Sequence, residues 1–85
     1  MTRSEILDTL VSLGREVFDE PELRFGEQTD FEEIEAWDSM SHVHMVVGME
    51  RAFSIRFGIG DLQRLARVAD LIDVIERLRA RAGTA

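Results

Sequence analysis

The chemistry of this chain centres on Ser39, which stands between Asp38 and Met40 where a long acidic segment meets an apolar run ending in Glu50-Arg51-Ala52-Phe53. Asp38 is a strong N-cap residue, so Ser39 is expected in the first turn of a helix, exposed yet anchored on a rigid element. A hydroxyl placed there faces unsatisfied N–H groups and the positive end of the helix dipole, where a phosphodiester carried on it is electrostatically tolerated. Taken alone, an Asp-Ser pair at a helix start is only a cap. The elements around it decide whether it is more.

Other candidate chemistry is weaker. Ser39 and His42 are spaced i,i+3, which permits a Ser–His pair, but no third group is in register to orient the imidazole and no Gly-rich oxyanion loop is present. A chain of 85 residues also has little room for a deep catalytic pocket. His42 and His44 point to different sides of a helix and cannot chelate one metal, so no metal site is expected. Gly58-Ile59-Gly60-Asp61 lacks the preceding strand and the Gly-Lys-Ser/Thr of a phosphate loop and reads as a turn. There is no Cys, so disulfides and thiol chemistry from the polypeptide are excluded, and any thiol used here must be imported.

Three helices are needed to position Ser39. Thr2 and Glu5 have capping-box spacing, with Ser4 as an alternative cap, and Ile6, Leu7, Leu10, Val11, Leu13, Val17 and Phe18 recur at helical spacing, giving a first helix at about 4–18. Pro21 and Gly26 then open a loop over 19–38, pinned by Phe31, Ile34 and Trp37, with a short turn near 30–35. A loop of that length is unusual in so small a domain and more often functional. The second helix is expected at about 39–53, and Gly58 and Gly60 follow it as a break. A short helical piece is expected at 61–65, then a last helix at about 67–81 with Val68, Leu71, Ile72, Ile75 and Leu78 inward and Arg77, Arg79 and Arg81 toward its C-terminal end. Ala66-Arg67 supply no Ser/Thr cap for that last helix. No alternating strand pattern, repeat or low-complexity tract appears, so the class is all-α.

The second helix carries apolar residues on two sides. Met45, Val46, Met49 and Phe53 fall within an arc of about 100°, while Met40, Val43 and Val47 cluster nearly opposite. The first stripe is long enough to be the core face, which leaves the second beside Ser39 as a docking patch, with flexible Met suited to varied partners. The alternative is a central helix buried all round.

Charge is as uneven as hydropathy. The net charge is −7, yet nine of the seventeen acids lie at Asp19, Glu20, Glu22, Glu27, Asp30, Glu32, Glu33, Glu35 and Asp38, with Arg24 the single base among them. The rest of the chain holds eight acids and nine bases and is nearly neutral. A negative field on the approach to Ser39 would steer basic proteins and repel nucleic acid. At 85 residues and 45% hydrophobic the chain can build one core and one domain, 1–85. Its start lacks the apolar stretch of a signal peptide and no run approaches the roughly 18–20 apolar residues of a membrane span, so a cytoplasmic monomer free of membranes is expected.

Asp38-Ser39-Met40, followed by Val43, Met45, Val46, Met49-Glu50-Arg51-Ala52-Phe53, Ile55 and Phe57, resembles the Asp-Ser-Leu motif and second helix of acyl carrier proteins. The likeness continues through Leu65, Val68, Leu71-Ile72 and Ile75, and the first helix and acidic loop also fit. The resemblance implies a small four-helix bundle, its third helix short. It implies that Ser39 receives 4′-phosphopantetheine from coenzyme A through a phosphopantetheinyl transferase, with Asp38 completing the motif. The arm would hold an acyl or aminoacyl group as a thioester, loaded by a ligase and passed to downstream transferases, with no catalysis by the carrier itself.

Family members of fatty acid synthesis are typically acidic along the second helix, whereas the corresponding positions here include Ser41, His42, His44 and Arg51, and Trp37 stands where a small residue is usual. The likeness is therefore to discrete carriers of specialised pathways, and fatty acyl, polyketide, hydroxyacyl and aminoacyl cargoes remain open. A partner surface of Met40, Val43, His44, Val47 and Arg51, with Glu35 and Trp37 from the loop, is expected. The competing reading is a small acidic helical module that binds a basic partner and is never modified.

Overall fold

The computed structural model describes residues 1–83. Among them are three α-helices, α1 (Arg3–Val17), α2 (Ser39–Phe53) and α3 (Val68–Gly83), one 3₁₀ turn at Phe31–Glu33, and no strand beyond an isolated bridge between Asp30 and Arg67. The three packed helices enclose one core of Ile6, Leu10, Ile34, Met45, Met49, Phe53, Ile55, Val68, Leu71, Ile72, Val74, Ile75 and Leu78. The loop residue Ile34 lies in that core, so the long connection is fastened rather than loose.

Each helix starts where local chemistry satisfies its first N–H groups. Thr2 caps α1 reciprocally with Glu5: the Glu5 N–H donates to Thr2 Oγ1 at 3.1 Å and the Thr2 N–H to Glu5 Oε1 at 2.8 Å. Ser4 is not the cap. α1 buries Ile6, Leu10 and Gly14, four residues apart on one face. Ser54, in the left-handed region with φ 54°, ends α2, and its N–H donates back to the Glu50 carbonyl. At Gly48 a Cβ would stand 2.7 Å from Leu13 Cδ1, so the missing side chain is what lets α1 and α2 approach.

α3 begins without a Ser/Thr cap because two other groups replace it. The Asp70 carboxylate accepts from the Ala66 and Arg67 N–H groups at 2.9 and 3.0 Å. The acidic loop supplies carbonyls to the next two, Val68 N–H to Thr29 O at 3.0 Å and Ala69 N–H to Glu27 O at 2.8 Å. Arg3 adds a side-chain fastening, pairing with Glu27 at 2.8 Å, Asp73 at 2.6 Å and Glu76, and so ties α1, loop and α3 together. Those carboxylates, Glu27 foremost, raise the guanidinium pKa above even its ordinary value.

The short helix expected at 61–65 is not formed, and the described helices number three rather than four. Residues 59–64 make turns, closed by Asp61 N–H to Gly58 O at 3.2 Å and Gln63 N–H to Gly60 O at 3.1 Å. Gly60 at φ 94° and Arg64 at φ 63° interrupt any α-helical ladder, and a five-residue segment makes too few bonds to offset nucleation. The Asp61 carboxylate accepts instead from the Gly58 N–H at 2.6 Å and from Arg77 at 2.9 Å.

Candidate functional site

Ser39 is the first residue of α2 and is exposed. Capping there is done by its neighbours. Asp38 Oδ1 accepts from the Met40 and Ser41 N–H groups at 3.0 and 2.9 Å, and Ser41 Oγ accepts from the Asp38 N–H at 2.9 Å while donating to the Ala36 carbonyl at 2.7 Å. The Ser39 hydroxyl has no hydrogen-bond partner among the described residues. It is spare in the structural sense and open to modification.

The same geometry changes what an anion on Ser39 would meet. Two of the first-turn N–H groups already serve Asp38, so a phosphodiester finds the helix dipole but not a vacant cradle. The Asp38 carboxyl is held below its usual range, first by the Ser41 N–H, against a smaller opposing desolvation, and further by the Ser41 hydroxyl and the Met40 N–H. It is thus a fixed negative charge beside the serine.

Trp37 and His42 occupy the positions just before the cap and four into the helix, the spacing of a hydrophobic staple. The Trp37 Nε1–H donates to His42 Nδ1 at 3.1 Å. No hydrogen bond joins Ser39 to His42 among the described residues, so the Ser–His pair open to the sequence is not assembled. Trp37, expected on the partner surface, is half-buried and packs at 4.9 Å centroid separation edge-on to Phe31 and at 5.9 Å from Phe18. Its large ring packs against the edge of the core.

Beside Ser39 lies an open cavity of about 290 Å³. Asp38, Ser39 and His42 stand along it, and its apolar wall comes from Phe31, Trp37, Met49, Leu62, Leu65 and Leu71. The turn segment that replaces the expected short helix supplies Leu62 and Leu65. Sequence reading missed this cavity and the role of Ser41. The Asp38-x-x-Ser41 spacing signals the reciprocal cap, whereas the cavity draws on four separate segments and has no local signature.

The rest of the expected partner surface is exposed. Met40, Val43 and Val47 are 80%, 61% and 45% exposed, and His44, Arg51 and Glu35 are also at the surface. Met45, Met49 and Phe53, on the opposite side of α2, are fully buried. The helix is therefore not buried all round. Among the described residues no cluster of His, Asp or Glu could hold a metal ion, and no helix is long and apolar enough to cross a membrane.

No family model matches the sequence, and no curated protein matches it. The fold and sequence together are nevertheless similar to the solution structure of a holo acyl carrier protein from Geobacter metallireducens, at 37% identity over 92% of this chain and 90% of that one, with a TM-score of 0.80. The chain belongs to the acyl carrier protein family. An acyl carrier protein from Thermotoga maritima matches equally well in shape, TM-score 0.80 over 94% and 93% of the two chains, at 21% identity. That second likeness concerns the fold alone. As a member of this family the chain is a carrier, not an enzyme, which agrees with the unpaired Ser39 and the His42 ring engaged by Trp37.

Proposed function

We propose that this carrier holds an acyl or aminoacyl group on 4′-phosphopantetheine attached to Ser39 Oγ, and presents it to partner enzymes. The observation that carries the reading is the division of labour at the start of α2. Asp38 and Ser41 do the capping and leave the Ser39 hydroxyl exposed and uncommitted. Attachment then costs the helix none of its own hydrogen bonds. The relative from Geobacter metallireducens is described as holo, which supports a covalently attached group in this chain too.

Ser39 Oγ would hold the group through a phosphodiester, received from coenzyme A within a phosphopantetheinyl transferase. Once attached, the group supplies the thiol that the Cys-free chain lacks and binds cargo as a thioester. α2 fixes the attachment point, Asp38 holds a negative charge beside it, and the apolar wall beneath it offers an oily tail shelter from water.

The cavity favours apolar cargo, and His44 and Arg51 on α2 favour service in a discrete pathway over housekeeping fatty acid synthesis. A cytoplasmic setting with a coenzyme A supply, a loading ligase and downstream transferases as partners complete the reading. Incubation with coenzyme A and a broad-specificity transferase should add one arm to the intact mass of the native chain and none to Ser39→Ala, with the helical circular dichroism of both unchanged. No added mass on the native chain would return the reading to an unmodified interaction module, and an arm on the alanine variant would move the site.

A further inference from the structure

One stripe of α2 is unpartnered and differs in charge from everything before it. Met40, Val43, His44, Val47 and Arg51 fall within an arc of about 100°, and all five are exposed. No carboxylate lies in that arc. The only acid of α2, Glu50, is half-buried and its Oε2 accepts from the Phe57 N–H at 2.9 Å. Arg51 has no ion pair among the described residues. Beyond the helix there is no acid from Arg51 to Gly60, and exposed Arg56 and Arg64 are likewise without ion pairs among the described residues.

Placing Arg51 near the C-terminus of α2 suits the helix dipole, and that alone would explain one arginine there. It does not explain an apolar row free of carboxylates, nor two further unpaired arginines in the segment that follows. In a chain of net charge −7, that stretch carries three arginines without an ion pair among the described residues.

We propose that this stripe docks on a partner enzyme whose matching surface is an apolar socket flanked by carboxylates at the end remote from Ser39. The proposal deepens the carrier reading by naming the kind of surface the carrier visits. Twelve residues of helix separate Ser39 from Arg51, about 18 Å, so the apolar row sits between an anionic end at Asp38 and a cationic end at Arg51. A partner must match both ends at once, which fixes the direction in which α2 lies on it and hence where Ser39 points. A uniformly basic surface suits the acidic loop and is repelled at Arg51, so loop and stripe select different partners.

The test uses the unmodified protein, so it stands or falls separately from the mass measurement of attachment. Two synthetic amphipathic helical peptides share one leucine stripe, flanked in one by Glu and in the other by Lys, and each is titrated into isotope-labelled protein at low salt. The Glu-flanked peptide should shift the amides of Met40 to Arg51, and the Lys-flanked peptide those of the acidic loop. Arg51→Glu, at an exposed site with no ion pair to lose, should weaken the Glu-flanked peptide about three- to fivefold at low salt and much less at 0.5 M added salt, roughly the range of one exposed charge pair and its screening. Failure of the Glu-flanked peptide to move the α2 amides, equal binding of both peptides to the stripe, or indifference to Arg51→Glu would each overturn the proposal.

Discussion

The acidic loop and the outer stripe of α2 meet at Ser39 and are built on opposite terms. The loop carries nine acids, but four are engaged in holding the fold: Glu27 pairs with Arg3, Asp30 with Arg67, Glu33 caps the 3₁₀ turn and Asp38 caps α2. The stripe carries little charge, yet Met40, Val43, Val47 and Arg51 are all exposed, and none is part of the core. A charge count therefore overstates what the loop can offer a visitor, and a hydropathy count understates what the helix can. Asp19, Glu20, Glu22, Glu32 and Glu35 remain for steering.

The contrast is broken most severely within α2. Phe53→Ala should cost about 3–5 kcal/mol, enough to unfold a domain this small, whereas Val47→Ser should cost about 1 kcal/mol or less and still impair loading by a cognate partner. Thermal melts and a loading assay on both variants check this. Equal large destabilisation would mean that the stripe is core.

Next in size is the fastening of the loop. Arg3→Met should lower stability by about 1 kcal/mol, since its three carboxylate partners form a network but remain partly solvated, and the loss should shrink in high salt. A melt that is unchanged at low salt would show the loop to be held without Arg3, by Ile34, its backbone bonds and the Asp30–Arg67 pair.

Acid sharpens the comparison further. Asp38, Asp70 and Glu5 are all held below the usual carboxylate range, each chiefly by backbone N–H groups at a helix start. Because their folded pKa values lie below the unfolded ones, their contribution is present above the unfolded value and lost as pH falls through the folded one. The melting midpoint should therefore fall as pH drops below about 4, and Asp38→Asn with Asp70→Asn should flatten that fall. An equally steep fall in the double variant would refer acid sensitivity to other groups.

The smallest effect on stability should come from the free acids. Changing Glu20, Glu22, Glu32 and Glu35 together to Gln should leave the melting midpoint where it is while slowing association with a basic transferase at low salt. The same treatment of Glu27, Asp30, Glu33 and Asp38 should lower the midpoint. If the two sets behave alike, the division of the loop into structural and steering charges is wrong.

Much of this was legible before any coordinates. The capping box at Thr2 and Glu5, the two opposed stripes of α2 and the inward row of α3 follow from local spacing, and the structure has all of them. The failed short helix shows the limit of that logic. Asp61 to Leu65 is helix-compatible in composition, but Gly60 and Arg64 are left-handed and Asp61 is drawn off to Gly58 and Arg77. The start of α3 was illegible for a different reason. Two of its first N–H groups are satisfied by carbonyls some forty residues earlier, at Glu27 and Thr29, which no window on the sequence connects. The cavity beside Ser39 is legible only in three dimensions, for the same reason.

Trp37 is the only tryptophan of the chain, and there is no tyrosine. Its indole lines the cavity beside Ser39 and donates to His42 Nδ1. The molecule thus contains its own fluorophore at the point of greatest interest. Filling of the cavity by an apolar molecule should blue-shift that emission, so its occupancy can be followed in real time on the native protein, without a label.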